Sequence, residues 1–218
     1  MKVKGIIFDM DGTLGDTMAV LCEAFRQAFE QFLGRRYSDQ EIAALFGATE
    51  EGIFQRVVPD RWRDCLQVYS EIYEKIHARL DGPFPGIEEA LRLLKQRGVS
   101  LGIVTGKGPP TTAISLRDFN LTGYFEVVET GSAAGAVKPH LIRKVVERWD
   151  IPSDRVAYIG DTPYDVEAAK EADVIPLAAA WAPATDAAAL NRAGPLATFT
   201  TVESFIRWVD GNIEADGS

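Results

Sequence analysis

The sequence predicts an α/β fold: a parallel sheet with helices on both faces, interrupted after its first strand by an inserted block of helices. Three observations carry this prediction. Short apolar runs at 3–8, 99–104 and 156–159 are separated by helix-patterned segments, the alternation that builds a parallel sheet. Each run is nearly continuous in apolar residues, as strands covered on both faces require. Residues 16 to about 80 keep helical spacing with no strand pattern among them.

The elements follow in order. Residues 3–8 form the first strand. Met18, Leu21, Cys22, Phe25, Ala28, Phe29 and Phe32 then recur at three- and four-residue steps, and Gly34 closes that helix. Ser38 and Asp39 cap a short second helix through Phe46, and Gly47 breaks it. Thr49 caps a third helix, and Pro59 with Asp60 opens a fourth to about Arg79. The stretch "LDGPFPGIEEAL" ends the block and starts a helix over 86–97. Strand 99–104, helix 109–119, a weaker strand 125–128 and helix 139–149 come next. They are followed by strand 156–159, helix 163–172 and strand 174–178. A helix over 186–192, a short strand at 197–199 and a helix over 202–209 complete the pattern, and "GNIEADGS" reads as a frayed tail. The expected organisation is a core domain of residues 1–15 and 82–210, a helical domain of 16–81, and a flexible tail of 211–218.

Composition narrows the function. A net charge of -9 argues against a nucleic-acid-binding surface. It also means that an anionic substrate must be captured by local cations, since long-range steering is repulsive. No apolar run approaches the roughly 18 to 20 residues of a membrane span, and the N-terminal apolar stretch is broken by Asp9. Cys22 and Cys65 lie too far apart and are too few to be a disulfide framework, so both read as reduced thiols of a cytoplasmic protein.

The residues that follow each strand carry the chemistry, because ligands of such sheets sit beyond the carboxyl ends of the strands. Asp9, Asp11, Gly12 and Thr13 follow the first, in "IIFDMDGTLGDT". Thr105, Gly106 and Lys107 follow the second, Lys138 lies beyond the third, and Asp161 and Asp165 follow the fourth. Each like-charge pair at about 4 Å costs roughly 4 kcal/mol at an effective dielectric of 20. A hard divalent cation offsets that repulsion, and all-oxygen ligation suits Mg²⁺. A carboxylate beside such a cation and a lysine can attack phosphorus. A second carboxylate two residues on can protonate the leaving oxygen and then activate water. Hydroxyl, amide and lysine donors can hold the phosphoryl oxygens.

With these motifs in hand, the sequence resembles the haloacid dehalogenase-like hydrolase superfamily. "FDMDGTL" matches its first motif, "IVTGKG" its second, Lys138 in "VKPH" its third and "IGDTPYD" its fourth, in that order, over roughly the whole chain to about residue 210. The segment "PFPGIEEALRLLKQRGVSLGIVTGK" resembles the phosphoglycolate phosphatase-like branch, and the block between the first two motifs marks the helical-cap subgroup. The resemblance implies a Rossmann-like core with an α-helical cap. It implies a Mg²⁺-dependent phosphatase of a small soluble phosphomonoester, phosphoglycolate-like or a sugar phosphate, acting as a monomer or homodimer without nucleic acid or membrane. Carried over by position, Asp9 is the nucleophile that forms an aspartyl-phosphate, and Asp11 is the general acid and base. Mg²⁺ is held by the Asp9 carboxylate, the Asp11 main-chain carbonyl and the Asp161 carboxylate. Asp165 supports the metal's waters or the lysine, with Gly12 and Thr13 as supporting residues of the first motif. Thr105, the Gly106 amide and Lys138 grip the phosphoryl group.

The departures bear on the chemistry. Gly106 stands where many relatives have asparagine, which keeps the amide and removes a side chain. Asp16-Thr17 replaces the frequent Asp-Ser. The second acid, Asp11, speaks for phosphoryl transfer over carbon–halogen cleavage. Lys75, the only lysine of the cap, lies late in its last helix, which speaks against phosphonate cleavage. Two rival readings are a phosphomutase of the same superfamily and a non-catalytic phosphate-sensing protein of the receiver type, although a receiver places its acceptor aspartate after a middle strand and has no inserted helices.

Other residues take plainer readings. Lys107 reads as a solvated loop charge, His77 and His140 as surface or capping residues, and the Met18 to Phe32 stripe as core packing. The cap loop "FGATEE" should face the pocket. Its lack of lysine or arginine disfavours a second anionic group on the substrate, with Arg56 and Arg61 the candidates to reach in instead. Trp181 either lines the pocket or packs on the sheet.

Overall fold

Six parallel strands form the sheet of this computed structural model, which describes residues 3–213. They are β1 (Gly5–Phe8), β2 (Ser100–Val104), β3 (Val127–Glu129), β4 (Val156–Gly160), β5 (Ile175–Ala179) and β6 (Ala197–Phe199), in the order β3-β2-β1-β4-β5-β6. Ile6 lies opposite both Leu101 and Ala157, so β1 is central. The chain winds outward from β1 in one direction through β2 and β3, and in the other from β4 to β6. The switch point therefore falls between β1 and β4, where α/β folds place their ligands.

The period-two geometry of the strands sorts their side chains to two faces. Ile6, Phe8, Leu101, Ile103 and Ile159 face α5 (Ile87–Gln96) and α10 (Val202–Asn212), packing on Leu91, Leu94, Phe205 and Val209. Ile7, Val104 and Tyr158 face the other way, toward Ile142, Val145 and Ala169 of α7 (Lys138–Trp149) and α8 (Pro163–Glu171). This two-sided burial explains why the strands read as continuous apolar runs. A further helix, α9 (Ala187–Ala193), packs Leu190 beside Val166 of α8.

Between β1 and β2 stand α1 (Met18–Leu33), α2 (Asp39–Ala43), α3 (Glu50–Val57) and α4 (Trp62–His77), with their own apolar cluster. Its centre is aromatic: the Phe25 ring lies 4.5 Å from Tyr69 and 5.3 Å from Phe54. The local signals act as expected from the residues. Gly34 closes α1 in the left-handed conformation, Ser38 and Glu41 form a capping box on α2, and the Thr49 side chain caps α3. Ile114 of α6 (Pro109–Asp118), a helix of the sheet layer, completes the block's cluster. The two connections meet, since Phe84 N donates to Leu14 O at 2.9 Å.

Four details differ from the sequence reading. The second helix stops at Ala43, and the next residues turn through a bridge between Phe46 and Ala48. Pro59–Arg61 is a 3-10 turn before α4 rather than its first turn. Helix α10 continues through Asn212, where Val3 N donates to Asn212 O at 3.0 Å and Ile213 is buried, so residues 211–213 do not belong to the expected tail; the rest of it, 214–218, lies outside the described residues. His77 is not a surface residue. It is buried at the end of α4, its Nδ1 3.1 Å from Asp118 Oδ2 and its ring 4.6 Å from that of Phe119. Helical periodicity marks a face but does not reveal that the end of α4 docks on α6. Among the described residues, no helix is long and apolar enough to cross a membrane.

Candidate active site

The strand ends converge as expected. Asp9, Asp11, Gly12, Thr105, Gly106, Lys138 and Asp161 all line one cavity of about 480 Å³ between the sheet edge and the helical block. Carboxylate oxygens of Asp9, Asp161 and Asp165 lie within 4.8 Å of one another.

Lys138, the first residue of α7, is the electrostatic centre of this cluster. Its Nζ lies 2.9 Å from Asp9 Oδ2 and 2.6 Å from Asp165 Oδ1. Asp165 is wholly buried and its oxygens are committed. Oδ1 accepts from Lys138 and from Tyr158 OH at 3.1 Å, and Oδ2 accepts from Thr162 N at 3.0 Å and Thr162 Oγ1 at 2.5 Å. Burial raises its pKa, but Lys138 and the Thr162 donors outweigh burial and hold it below the usual carboxylate range. The same acids keep Lys138 charged, well above its ordinary value, although burial opposes it. Asp165 thus serves the lysine and is not free to serve as a direct cation ligand.

Asp9 and Asp161 stand in the opposite situation. Burial lifts Asp161 to about 8, with Asp9 and Asp165 adding to the rise. Burial also lifts Asp9 to about 6, against the pull of Lys138. Asp9 Oδ1 is buried with no hydrogen-bond partner among the described residues. An orphaned carboxylate oxygen beside a second, proton-retaining carboxylate is a donor set that suits a hard divalent cation, so the residues present fit Mg²⁺.

The turn after β1 sets the geometry. Gly12 holds φ +74°, and a Cβ there would lie 2.2 Å from Asp161 Oδ2. Only glycine lets the first loop approach the fourth so closely. The turn is closed by Gly12 N to Gly15 O and Leu14 N to Met10 O, both 2.9 Å. These bonds leave the Asp11 carbonyl unused among the described residues. Thr17 Oγ1 donates to Asp11 Oδ1, and Lys107 Nζ lies 3.1 Å from the same oxygen.

Lys107 is therefore not the solvated loop charge expected. It is buried at 4% exposure, and its Nζ also donates to Tyr73 OH of α4 at 3.0 Å. Burial opposes its charge, yet Asp11 and Tyr73 hold its pKa above the ordinary lysine value. A lysine in a glycine-rich loop gives no sequence signal of the partners that bury it.

Thr105 and Gly106 take the expected position. Thr105 is buried with its N bonded to Glu129 O, and its Oγ1 accepts from Lys107 N at 3.3 Å. Gly106 lines the cavity, and its N–H takes part in no described hydrogen bond. Thr13 is buried below the site and its hydroxyl has no partner among the described residues. Trp181 packs on the sheet side, its Nε1 donating to Thr13 O at 3.0 Å and its ring 6.2 Å from Phe205.

Two contributors escaped the sequence reading. Tyr158 bridges Asp165 and Val104 O from within β4; a phenol in a buried strand needs a partner, and that was its one signal. Glu50 of α3 is buried and accepts from Gly108 N at 2.6 Å and Thr111 Oγ1 at 2.5 Å, so the helical block caps the N-terminus of α6. As the first residue after a helix cap, it carried no such signal.

A six-stranded parallel layer with acids at its switch point and a helical block above defines the class: an α/β protein with an acidic site at its strand ends. The sequence model of the haloacid dehalogenase-like hydrolases matches residues 6–179, and the chain belongs to that family. It is 30% identical over 83% of its length, and 83% of the relative's, to a protein from Caldanaerobacter subterraneus subsp. tengcongensis provisionally named pyrophosphatase PpaX. A crystal structure from Lactobacillus delbrueckii subsp. bulgaricus, provisionally described as a phosphoglycolate phosphatase, superposes with TM-score 0.75 at 25% identity, covering 96% of this chain and 99% of that one. A structure from Thermotoga maritima, provisionally described as a β-phosphoglucomutase, matches with TM-score 0.73 at 25% identity over 96% of this chain and 100% of that one. The chain is a hydrolase of this family, and these three relatives are named for phosphate chemistry.

Proposed function

We propose that this hydrolase is a Mg²⁺-dependent phosphatase that cleaves a small phosphomonoester through an aspartyl-phosphate on Asp9. The observation that carries the reading is that Asp9, with a buried and unpartnered Oδ1, lines the cavity beside Lys138 and Asp161. Bound through the Asp9 and Asp161 carboxylates and the Asp11 carbonyl, Mg²⁺ would neutralise charge on the phosphoryl oxygens. Lys138 and the Gly106 amide orient the phosphoryl group, with Thr105 shaping the loop. One carboxylate oxygen of Asp9 forms a bond to phosphorus as the ester P–O bond breaks, and Asp11 gives its proton to the departing oxygen. A water then attacks phosphorus and gives its proton to Asp11, and the Asp9–phosphorus bond breaks to release inorganic phosphate. Residues 16–81 act as a cap that excludes bulk water during the first half.

Assay of phosphate release with Mg²⁺, without it, and with a chelator tests the reading. Activity indifferent to chelation sinks the metal requirement. A phosphomutase, the reading kept in view by the Thermotoga maritima match, would instead return a sugar phosphate isomer without net phosphate release.

The proton balance gives a second expectation. An acid whose folded pKa is raised holds a proton that the unfolded chain has already lost, so its contribution to stability falls as pH rises toward the folded value. For Asp161 that window runs from 3.8 to about 8, and for Asp9 from 3.8 to about 6. A cation must displace these protons, so its affinity rises with pH by up to about tenfold per unit for one proton displaced. The Mg²⁺-induced rise in melting temperature should be clearly larger near pH 8 than near pH 6. Equal shifts at the two pH values would remove Asp161 from the cation site.

Lys107 is expected to position Asp11. Lys107→Met should lower kcat/KM by about 10- to 100-fold for an alkyl phosphate, whose leaving oxygen needs a proton. The loss should be smaller for p-nitrophenyl phosphate, whose phenolate leaves unaided. Equal losses on both substrates would reduce Lys107 to a packing role.

A further inference from the structure

We infer that the leaving group of the substrate is uncharged and apolar: the phosphomonoester of a small alkyl or aromatic alcohol, with no second anionic group. The inference rests on the phosphatase reading and names the substrate class of that same site.

The cavity of about 480 Å³ has room well beyond one phosphoryl group, and its two sides differ in chemistry. The strand-end side carries the site's acids and both lysines, among smaller and apolar residues such as Val137 and Pro163. The side contributed by the helical block presents an apolar patch of Met18, Leu21, Phe25, Phe46 and Ile53 beside the acids Asp16 and Glu50. Phe25 and Ile53 are edges of the block's own core, each 1% exposed. Phe46 is different. It sits in the turn between α2 and α3, is 38% exposed and reaches only the rim of the aromatic cluster, 6.5 Å from Phe25. A large apolar side chain left uncovered at the mouth of a ligand cavity is a surface for an apolar ligand.

Charge points the same way. The acids that line the cavity are Asp9, Asp11, Asp16, Glu50, Asp161 and Asp186, and the cations are Lys107 and Lys138 alone among the described residues. Both lysines are already committed, Lys138 to Asp9 and Asp165 and Lys107 to Asp11. Lys138 is the one aimed at the phosphoryl subsite, which leaves no cation for a second anion. The arginines of the block are turned elsewhere. Arg56 donates to Leu45 O at 2.9 Å, and Arg61 lies over Phe32 and 3.5 Å from Asp64. Glu50, pinned by Gly108 N and Thr111, adds a fixed carboxylate to the wall contributed by the block. A glycolate carboxylate or a second phosphate would be desolvated there against like charge and without a partner. A methylene buried on Phe46 and Met18 instead gains about fourfold in affinity. This class differs from the phosphoglycolate-like esters that the sequence resemblance implies.

The test compares n-pentyl phosphate with its ω-carboxylate analogue, which share a leaving oxygen and differ in the terminal charge, alongside phosphoglycolate, pyrophosphate and p-nitrophenyl phosphate. The expected result is a kcat/KM at least about tenfold higher for n-pentyl phosphate than for its carboxylate. It should also climb by up to about fourfold per methylene from methyl to pentyl phosphate. Phe46→Arg, at an exposed turn position, should lower kcat/KM for n-pentyl phosphate, raise it for the carboxylate and bring the ratio toward one. Equal or better turnover of the carboxylate, phosphoglycolate or pyrophosphate by the unmodified protein overturns the inference and leaves the phosphatase reading standing. An unchanged ratio in Phe46→Arg also overturns it. No phosphate from any of these compounds, p-nitrophenyl phosphate included, sinks the phosphatase reading and takes this inference with it.

Discussion

Asp9→Asn is expected to abolish turnover, with kcat lower by at least about 10³-fold on any phosphomonoester the protein accepts. Asparagine has nearly the shape of aspartate, and Lys138 keeps Asp165 as its partner, so the protein should still fold. What is lost is the negative oxygen proposed to attack phosphorus. Two measurements separate this from a generic loss. Phosphate release falls to background, and a denaturing quench during turnover, which should trap a phosphorylated chain in the unmodified protein, traps none in the variant. Full activity in Asp9→Asn would exclude the covalent route altogether.

The second large effect is expected from Lys138→Met. Methionine fills similar volume without charge, and two buried carboxylates lose their shared cation. Removing one partner of a buried ion pair costs about 3–5 kcal/mol, and activity should fall by at least about 10²-fold because Asp9 and the phosphoryl group lose the same contact. The sign with pH is specific. In the unmodified protein Asp165 sits below its usual range, so its stabilisation is present above about 3.8 and is lost as pH falls through the folded value. Without Lys138 the Asp165 carboxyl should retain its proton to higher pH, where the folded state then loses stability. The gap in unfolding free energy between the two proteins should therefore widen as pH rises from about 4 to about 8. Chemical denaturation at several pH values checks it, and a gap of less than about 1 kcal/mol, constant with pH, would show that Lys138 is not the counter-ion of Asp165.

The parts of the fold legible in the sequence are those whose burial leaves a local trace. Strands β1, β2 and β4 are covered on both faces, so each prints as an apolar run ending at an acid, threonine or glycine. The edge strand β3 was weaker because only Val127 of its residues is buried while Val128 is 40% exposed. The four strand-end motifs could be gathered into one site because parallel topology alone brings them together. What stayed hidden depends on contacts between segments distant along the chain. Lys107 is buried by Tyr73 from another layer, Glu50 by the amide of Gly108, and His77 by Asp118 and Phe119. Each of these is a polar residue on a helix or loop surface when read locally. Its partner is supplied only when the helical block settles on the sheet layer, and no spacing rule encodes that docking.

The meeting of the block's two stems, where Phe84 N bonds to Leu14 O, has a consequence in polymer terms. The chain leaves the sheet layer and returns to it through nearly a single point, so the insert is a loop whose ends are pinned by the core. Closing such a loop depends only logarithmically on its length, about 0.6 kcal/mol for each doubling. The length of the insert therefore adds little entropic cost to the sheet. Its contents are less free, because Tyr73 holds Lys107 beside Asp11, Glu50 caps the N-terminus of α6 and His77 pairs with Asp118. The turn that carries Phe46 lies outside those contacts, so it is the part of the insert that can change while the acids at the strand ends keep their support.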